Sequence, residues 1–250
     1  MYGFYNSMAT EVYDLIHPIG DPYGDLEFYR ERLKGVQGKV LMPSVGTGRL
    51  MIPLIESGLN VEGMDVSTDW LDLCKDHLEA RHLPTRLFQG EMQTLSIDAT
   101  YDAIILPSGS IHTLSEWDQI METLTRFYDH LHVDGRLIFD VTFPKTTEVG
   151  HVTTYEWETF DGDVITLEDK IIDVSWVNQL IMSHHKYERW HRGQFVEAEL
   201  ERVSFKWFGI EELRLMLAQA GFINISLTAD YKEEAPINGE TNTITFEAVK

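Results

Sequence analysis

Lys39-Val40-Leu41-Met42-Pro43-Ser44-Val45-Gly46-Thr47-Gly48-Arg49 is the stretch on which the fold turns. Residues 39–42 read as a buried strand, Gly46-Thr47-Gly48 as a turn whose backbone can come close to a ligand, and residues 49–57 as the helix that follows. A strand that passes through glycines into a helix leaves helix-start N–H groups facing a cleft at its carboxyl end. The same loop argues against two phosphate-binding designs. A dinucleotide loop wants a third small residue three positions after Gly48, where Met51 stands, and the Gly-Lys-Ser/Thr ending of a phosphate loop is absent.

Outward from this loop the rhythm repeats. Apolar runs at 59–66, 84–88, 101–106 and 135–143 read as strands. Between them lie amphipathic stretches, one capped by Ser67 or Thr68 with Trp70, Leu71, Cys74 and Leu78 on a single face, and one over 116–130 with Ile120, Leu124 and Phe127 on its inner side. Strands alternating with helices predict a doubly wound, mostly parallel α/β sheet. After Pro144 the pattern changes to β-branched and aromatic runs at 155–160, 164–174, 177–190 and 195–205, with turn signals at Asp161-Gly162 and Arg192-Gly193. That is an antiparallel β meander inserted in one domain. A helix over 210–220, ended by Gly221, and strands at 222–228 and 241–249 complete the chain.

In an open parallel sheet, ligands bind beyond the carboxyl ends of the strands where the strand order reverses. Asp65 ends the second strand at about the place where an acid takes both hydroxyls of a ribose; standing before Ser67, it could equally serve the helix cap. A glycine turn with a strand-terminal acid points to a nucleoside-bearing ligand.

The motifs taken in order resemble those of the class I S-adenosylmethionine-dependent methyltransferases, over most of the chain. Val40-Leu41-Met42-Pro43-Ser44-Val45-Gly46-Thr47-Gly48 resembles the family's first motif and Gly63-Met64-Asp65-Val66-Ser67 its ribose-binding strand end. Gln89-Gly90-Glu91-Met92 is similar to the segment whose acid meets the adenine amino group, Tyr101-Asp102-Ala103-Ile104-Ile105-Leu106 to the fourth-strand motif, and Leu131-His132-Val133-Asp134-Gly135-Arg136-Leu137 to the turn into the fifth strand. The resemblance implies a Rossmann-like sheet of seven strands whose last runs antiparallel. It implies S-adenosyl-L-methionine as cofactor, held by Ser44, Gly46, Gly48, Asp65, Val66, Glu91, Met92 and Leu106. It also implies amino-terminal helices carrying Tyr5, Tyr13 and Tyr23 that fold over the cofactor, and an insertion that walls the substrate pocket, as in small-molecule methyltransferases. The domain plan is then a helical lid over 1–36, a cofactor-binding core over 37–144, the β insertion over 145–207, and the returning helix and strands of the core over 208–250.

Departures from the family pattern stand at Met42, where an acid is usual, at Ser44, where glycine is usual, and at Glu91, where aspartate is commoner. A serine fits the second of these if its φ is not positive. Methyl transfer from a sulfonium is an in-line displacement served by alignment and exclusion of water, and alignment alone can supply about 7–11 kcal/mol. Pro107-Ser108-Gly109-Ser110-Ile111-His112 follows the fourth strand and lacks both the Asn/Asp-Pro-Pro-aromatic motif of base and amide nitrogen methylation and the Pro-Cys pair of cytosine C5 enzymes. His112 and Tyr13 are the candidate catalytic residues: the imidazole as a general base or as a helix cap, the phenol from the lid. Trp157, Trp190 and Tyr231 are candidates for the substrate side. His184 and His185 are strand neighbours that face opposite ways and cannot chelate jointly, so no metal is expected.

Composition narrows the partners. With 41 acidic against 20 basic side chains the 250-residue chain carries a formal charge of −21 and a pI near 4.7, which disfavours nucleic acid and anionic membrane and either attracts amines and sulfonium ions or simply solvates the surface. One cysteine, Cys74, forbids an internal disulfide. With no basic residue before Arg30 and no apolar run long enough to span a bilayer, a cytoplasmic setting is expected. The expected partners are a small-molecule methyl acceptor and a second copy of the chain as a homodimer. Methyl transfer to a nitrogen or oxygen of a small molecule is the leading reading. A non-catalytic cofactor sensor, suggested by Met42, is the alternative, and a nicotinamide-dependent oxidoreductase is disfavoured by Met51 and the antiparallel last strand.

Overall fold

The structure is a computed structural model that describes residues 7–21 and 24–250. Tyr5 and Tyr23 lie outside the described residues. In chain order the elements are α1 (Ser7–Ile16), α2 (Asp25–Arg32), β1 (Lys39–Pro43), α3 (Met51–Glu56), β2 (Asn60–Asp65), α4 (Thr68–Ala80), β3 (Leu87–Gln89), β4 (Tyr101–Leu106), α5 (Trp117–His130), β5 (Leu131–Thr142), β6 (Val152–Glu158), β7 (Asp163–Ser175), β8 (Leu180–His191), β9 (Gln194–Lys206), α6 (Ile210–Ala220), β10 (Ile223–Ala229) and β11 (Thr243–Val249). They form two compact units, one of residues 19–143 and 207–250, the other of residues 144–206 with the first 18 residues.

The larger unit is a seven-stranded sheet in the order β10-β11-β5-β4-β1-β2-β3. β11 runs antiparallel to both of its neighbours, β10 and β5, and β5, β4, β1, β2 and β3 pair in parallel. Successive side chains of a strand face opposite ways, and β1, β4 and β5 are apolar on both faces because both faces are covered. Leu41, Ile104, Leu106, Leu137 and Phe139 pack with Ile120, Leu124 and Phe127 of α5 and Leu213 and Leu217 of α6. Val40, Met42, Ala103, Ile105 and Ile138 pack on the other side with Leu26, Tyr29 and Leu33, with Ile52 and Leu54 of α3, and with Leu71, Cys74 and Leu78 of α4. Each fully buried aliphatic side chain contributes about 1.5–3 kcal/mol. Phe139 stacks on Phe246 across β5 and β11 at 5.1 Å between centroids, and truncating it to alanine would cost about 3–5 kcal/mol.

Local chemistry sets the ends of the elements. Ser67 caps α4, its Oγ accepting from the Trp70 amide at 3.3 Å, and α6 stops at Gly221, whose φ of 104° a residue with a Cβ resists. Several boundaries differ from the sequence reading, three of them instructively. Arg49 and Leu50 belong to the turn, so α3 begins at Met51. β5 begins at Leu131, ahead of the turn signal Asp134-Gly135, with Asp134 itself at φ 64°. The strand expected from 177 begins at Leu180 because residues 176–179 turn without a glycine, Gln179 taking φ 50° in its stead.

The smaller unit is the four-stranded antiparallel meander β6-β7-β8-β9 with α1. Met8, Ala9 and Val12 of α1 bury against Ile165, Leu167 and Tyr187 of the sheet. Arg189 of β8 joins Glu11, Asp163 and Glu197. Among the described residues no helix is long and apolar enough to cross a membrane.

Candidate active site

In the larger unit the strand order reverses between β1 and β4, so the crevice for a ligand opens at the carboxyl ends of those two strands. The turn after β1 lies at that place. Its backbone is left-handed at Ser44, φ 61°, Gly46, φ 60°, and Gly48, φ 92°. Ser44 therefore does take the positive φ that the sequence reading required it to avoid: a side chain stands where only glycine is free of strain, at about 1–2 kcal/mol. Gly48 is also held by space, since a Cβ there would approach Cys74 Sγ to 2.9 Å and Ile52 Cδ1 to 3.1 Å.

Asp65 ends β2 facing this turn. Its Oδ2 accepts from the Gly46 amide at 2.9 Å and its Oδ1 from the Ser67 amide at 3.0 Å. Burial pushes its carboxyl up from the ordinary range, opposed by N–H groups of Ser67, Gly46 and Val66. Both functions that the sequence left open are thus present together: the acid organises the glycine turn and the start of α4. Val66 beside it is exposed, Glu91 takes an amide hydrogen of Gln93 at 2.8 Å on its Oε2, Met92 is buried, and Leu106 lies in the core. Met42 is buried in the opposite core, so the usual acid position is filled by packing.

On the β4 side the sequence reading named His112. It is buried in the short 3-10 turn Ser110–Thr113, stacks on Phe208 and receives the Thr142 amide on Nε2 at 2.8 Å. A nitrogen that accepts a backbone N–H has its lone pair engaged, which places the ring proton on Nδ1. The imidazole here ties the β4 turn to the end of β5. Tyr231 lies in the larger unit and donates to Asp140 Oδ2 at 2.9 Å. Tyr13, Trp157 and Trp190 all lie in the smaller unit: Tyr13 against His17, Trp157 stacked on Tyr155, and Trp190 edge-on to Phe195. Among the described residues no group of three or more His, Cys, Asp or Glu side chains could hold a metal.

Comparison with known proteins finds similar chains. Residues 40–135 match the model of the methyltransferase domain. A putative methyltransferase of Geobacillus sp. (strain WCH70) is 28% identical over 89% of this chain and 90% of its own. The glycine/sarcosine N-methyltransferase of Aphanothece halophytica is 26% identical over 83% and 75%. Among solved structures, an S-adenosylmethionine-dependent methyltransferase from Clostridium acetobutylicum ATCC 824 superposes with a TM-score of 0.76 over 95% of this chain and 96% of that one, at 20% identity. Residues 40–135 thus carry a methyltransferase domain, and the chain is similar over most of its length to S-adenosylmethionine-dependent methyltransferases.

The chain also holds polar groups at this rim that the sequence reading passed over. Arg49, directly after the glycine turn, and Asp25 of α2 form a buried two-point ion pair, with Nη1 to Oδ1 at 3.1 Å and Nη2 on Oδ2. The Arg49 Nη2 also reaches Ser108 Oγ at 3.2 Å. Asp140 of β5 is fully buried. One signal for it was present: a lone acid within the apolar run Leu137-Ile138-Phe139-Asp140-Val141 of a strand covered on both faces. Asp25 carries no such signal, because an acid early in a helix is ordinary.

Proposed function

We propose that this methyltransferase transfers the methyl group of S-adenosyl-L-methionine to a nitrogen or oxygen of a small molecule by in-line displacement. The observation that carries the cofactor half of the reading is the glycine turn clasped by Asp65 at the reversal point of the sheet. A carboxylate offers about four acceptor positions, and the Gly46 and Ser67 amides take two of them, so two remain for ribose hydroxyls. Gly46 and Gly48 keep the turn free of side chains, Val66 offers an exposed apolar surface, and Glu91 is the acid within reach of an adenine amino group in this reading. The Asp25–Arg49 pair fastens α2, part of the segment expected to close over the cofactor, to the residue that follows the turn.

The cofactor supplies an electrophilic methyl on a sulfonium whose positive charge disperses as the bond shifts. The chain needs to align, exclude water and accommodate the acceptor's proton. His112 would have to release the Thr142 amide to take that proton; we therefore assign it the shape of the β4 turn and keep Tyr231 of the larger unit as the acceptor-side candidate. Nitrogen is favoured over oxygen by the relative that is a glycine/sarcosine N-methyltransferase. A charge of −21 supports a cationic or zwitterionic acceptor and disfavours nucleic acid and anionic membrane as partners.

Calorimetric titration with S-adenosylhomocysteine, followed by methyl transfer to glycine, sarcosine, an aminosugar and a phenol panel, tests the reading. Saturable binding, weakened at least about tenfold by Asp65→Ala, with turnover on an amine, supports it. Binding with no turnover on any acceptor would overturn the small-molecule assignment.

A further inference from the structure

One buried carboxylate gathers contacts from four parts of the larger unit. Asp140 Oδ1 accepts from the Thr245 hydroxyl of β11 at 2.7 Å, and Oδ2 accepts from the Tyr231 hydroxyl at 2.9 Å and the Ser108 amide at 3.1 Å. Tyr29 of α2 turns its hydroxyl toward the same group. Two of these donors stand on left-handed backbone: Ser108, φ 58°, just past β4, and Tyr231, φ 57°, directly after Asp230, φ 47°. Such backbone is unfavourable for any residue with a Cβ and persists where surrounding contacts over-determine it. Both outliers converge on one side chain. Ser108 is in turn held by Arg49, which begins where the glycine turn ends.

We propose that Asp140 is a positioning residue for methyl transfer: its carboxylate pins the strained β4 turn and Tyr231 to the rim of the sheet and so sets the surface next to the cofactor loop. The inference rests on reading that rim as the transfer site. The pins need the carboxylate charged, because a proton on Oδ2 competes with the two donors already there and a proton on Oδ1 forces the Thr245 hydroxyl to turn away. Burial holds the Asp140 carboxyl up at about 6, against the pull of the Thr245, Tyr231 and Ser108 hydrogen bonds. The titratable and charged groups facing it are Tyr29 and Asp25 of α2, Tyr231 of the β10–β11 loop, and Arg49. An uncharged amide would escape the cost of burying a charge yet offer these donors one acceptor oxygen in place of two.

Positioning and structural roles predict opposite couplings between stability and binding, and Asp140→Asn separates them. Affinity for S-adenosylhomocysteine and melting temperature are to be measured together from about pH 8 to about pH 5. For the wild type, affinity should fall at least about tenfold across that range while the melting contribution of this site rises. Asp140→Asn should bind several-fold more weakly at the upper end, show no acidic fall, and melt no lower than the wild type. Tyr231→Phe, which removes one donor to the charged form, should fold and move the acidic fall to higher pH. Wild-type affinity and pH dependence in Asp140→Asn would overturn the proposal, and so would affinity and melting temperature that drop together. The Ser108 amide proton, followed by NMR, should titrate with Asp140 in the wild type and be flat in Asp140→Asn. A Ser108 signal that does not move removes the pin itself, whatever binds. Absence of binding at every pH with a titrating Ser108 instead removes the transfer-site reading beneath it.

Discussion

Two buried aspartates on the rim of the same sheet solve the same problem by opposite means. Asp65 is satisfied by the main chain, through the Gly46 and Ser67 amides 19 and 2 residues away in sequence. Asp140 is satisfied mainly by side chains from far along the chain, Tyr231 and Thr245 at separations of 91 and 105 residues, with one amide from Ser108 at 32. Burial pushes the carboxyls of both up. Amides fixed by a turn cannot move far, whereas hydroxyls rotate and loops shift. The Asp65 side of the rim is therefore a rigid seat, and the Asp140 side is an assembly whose geometry depends on the charge state of one group.

The largest test of that contrast lies at the ion pair that joins the two sides. Arg49→Met leaves Asp25 charged and buried without its partner and should cost about 3–5 kcal/mol, read by urea or guanidinium unfolding. Asp25→Leu combined with Arg49→Met should regain most of that loss. If the single variant is as stable as the wild type, the pair does not hold α2 to the glycine turn.

Next in size is Asp65→Ala. The Gly46 and Ser67 amides would lose their acceptor in a buried place, at about 1–3 kcal/mol for each unsatisfied group. Stability and cofactor affinity should fall together, because one carboxylate serves both the buried amides and the cofactor. Asp140→Asn should do the reverse. The folded carboxyl of Asp140 stands at about 6 against 3.8 for an unburied aspartate. A raised pKa stabilises the fold fully below the unfolded value, and that contribution is lost as pH climbs through the folded value. The wild type should thus lose up to roughly 3 kcal/mol relative to Asp140→Asn between about pH 4 and about pH 6, and run parallel to it above. Unfolding curves for both proteins at a series of pH values give the difference directly. A constant gap over that window would mean that the carboxylate is not held charged in a buried place.

The same contrast explains how much could be read from the chain. The α/β order and the meander follow from periodicity and turn residues, which are local, whereas the antiparallel direction of the final strand is what the family resemblance implies. The Gly46-Thr47-Gly48 turn and Asp65 lie within twenty residues of each other, and their pairing is legible for the same reason. Asp140 with Tyr231, Thr245 and Ser108 meets only after β4, β5 and β11 have been laid side by side, and no spacing rule brings residues of such separation together. Tyr231 was legible as a residue of the rim through its loop, yet not as a donor to a buried acid. His112 shows the limit from the other direction: residue type suggested proton transfer, while its partner, the Thr142 amide, exists only in the fold.

The smallest effect concerns Ser44, where the rigid side of the rim departs from the family pattern. At φ 61° the serine's Cβ costs about 1–2 kcal/mol, whereas glycine is free of that strain but gives up about 0.5–1 kcal/mol of unfolded-chain entropy. Ser44→Gly should therefore stabilise the protein by about 0.5–1 kcal/mol net. The gain would appear as a rise of a few degrees in melting temperature. Cofactor affinity should hold, since Asp65 and the Gly46 amide already fix the turn. If Ser44→Gly instead binds S-adenosylhomocysteine more weakly, the serine side chain itself touches the cofactor, and the rigid seat is built from one side chain more than its backbone suggests.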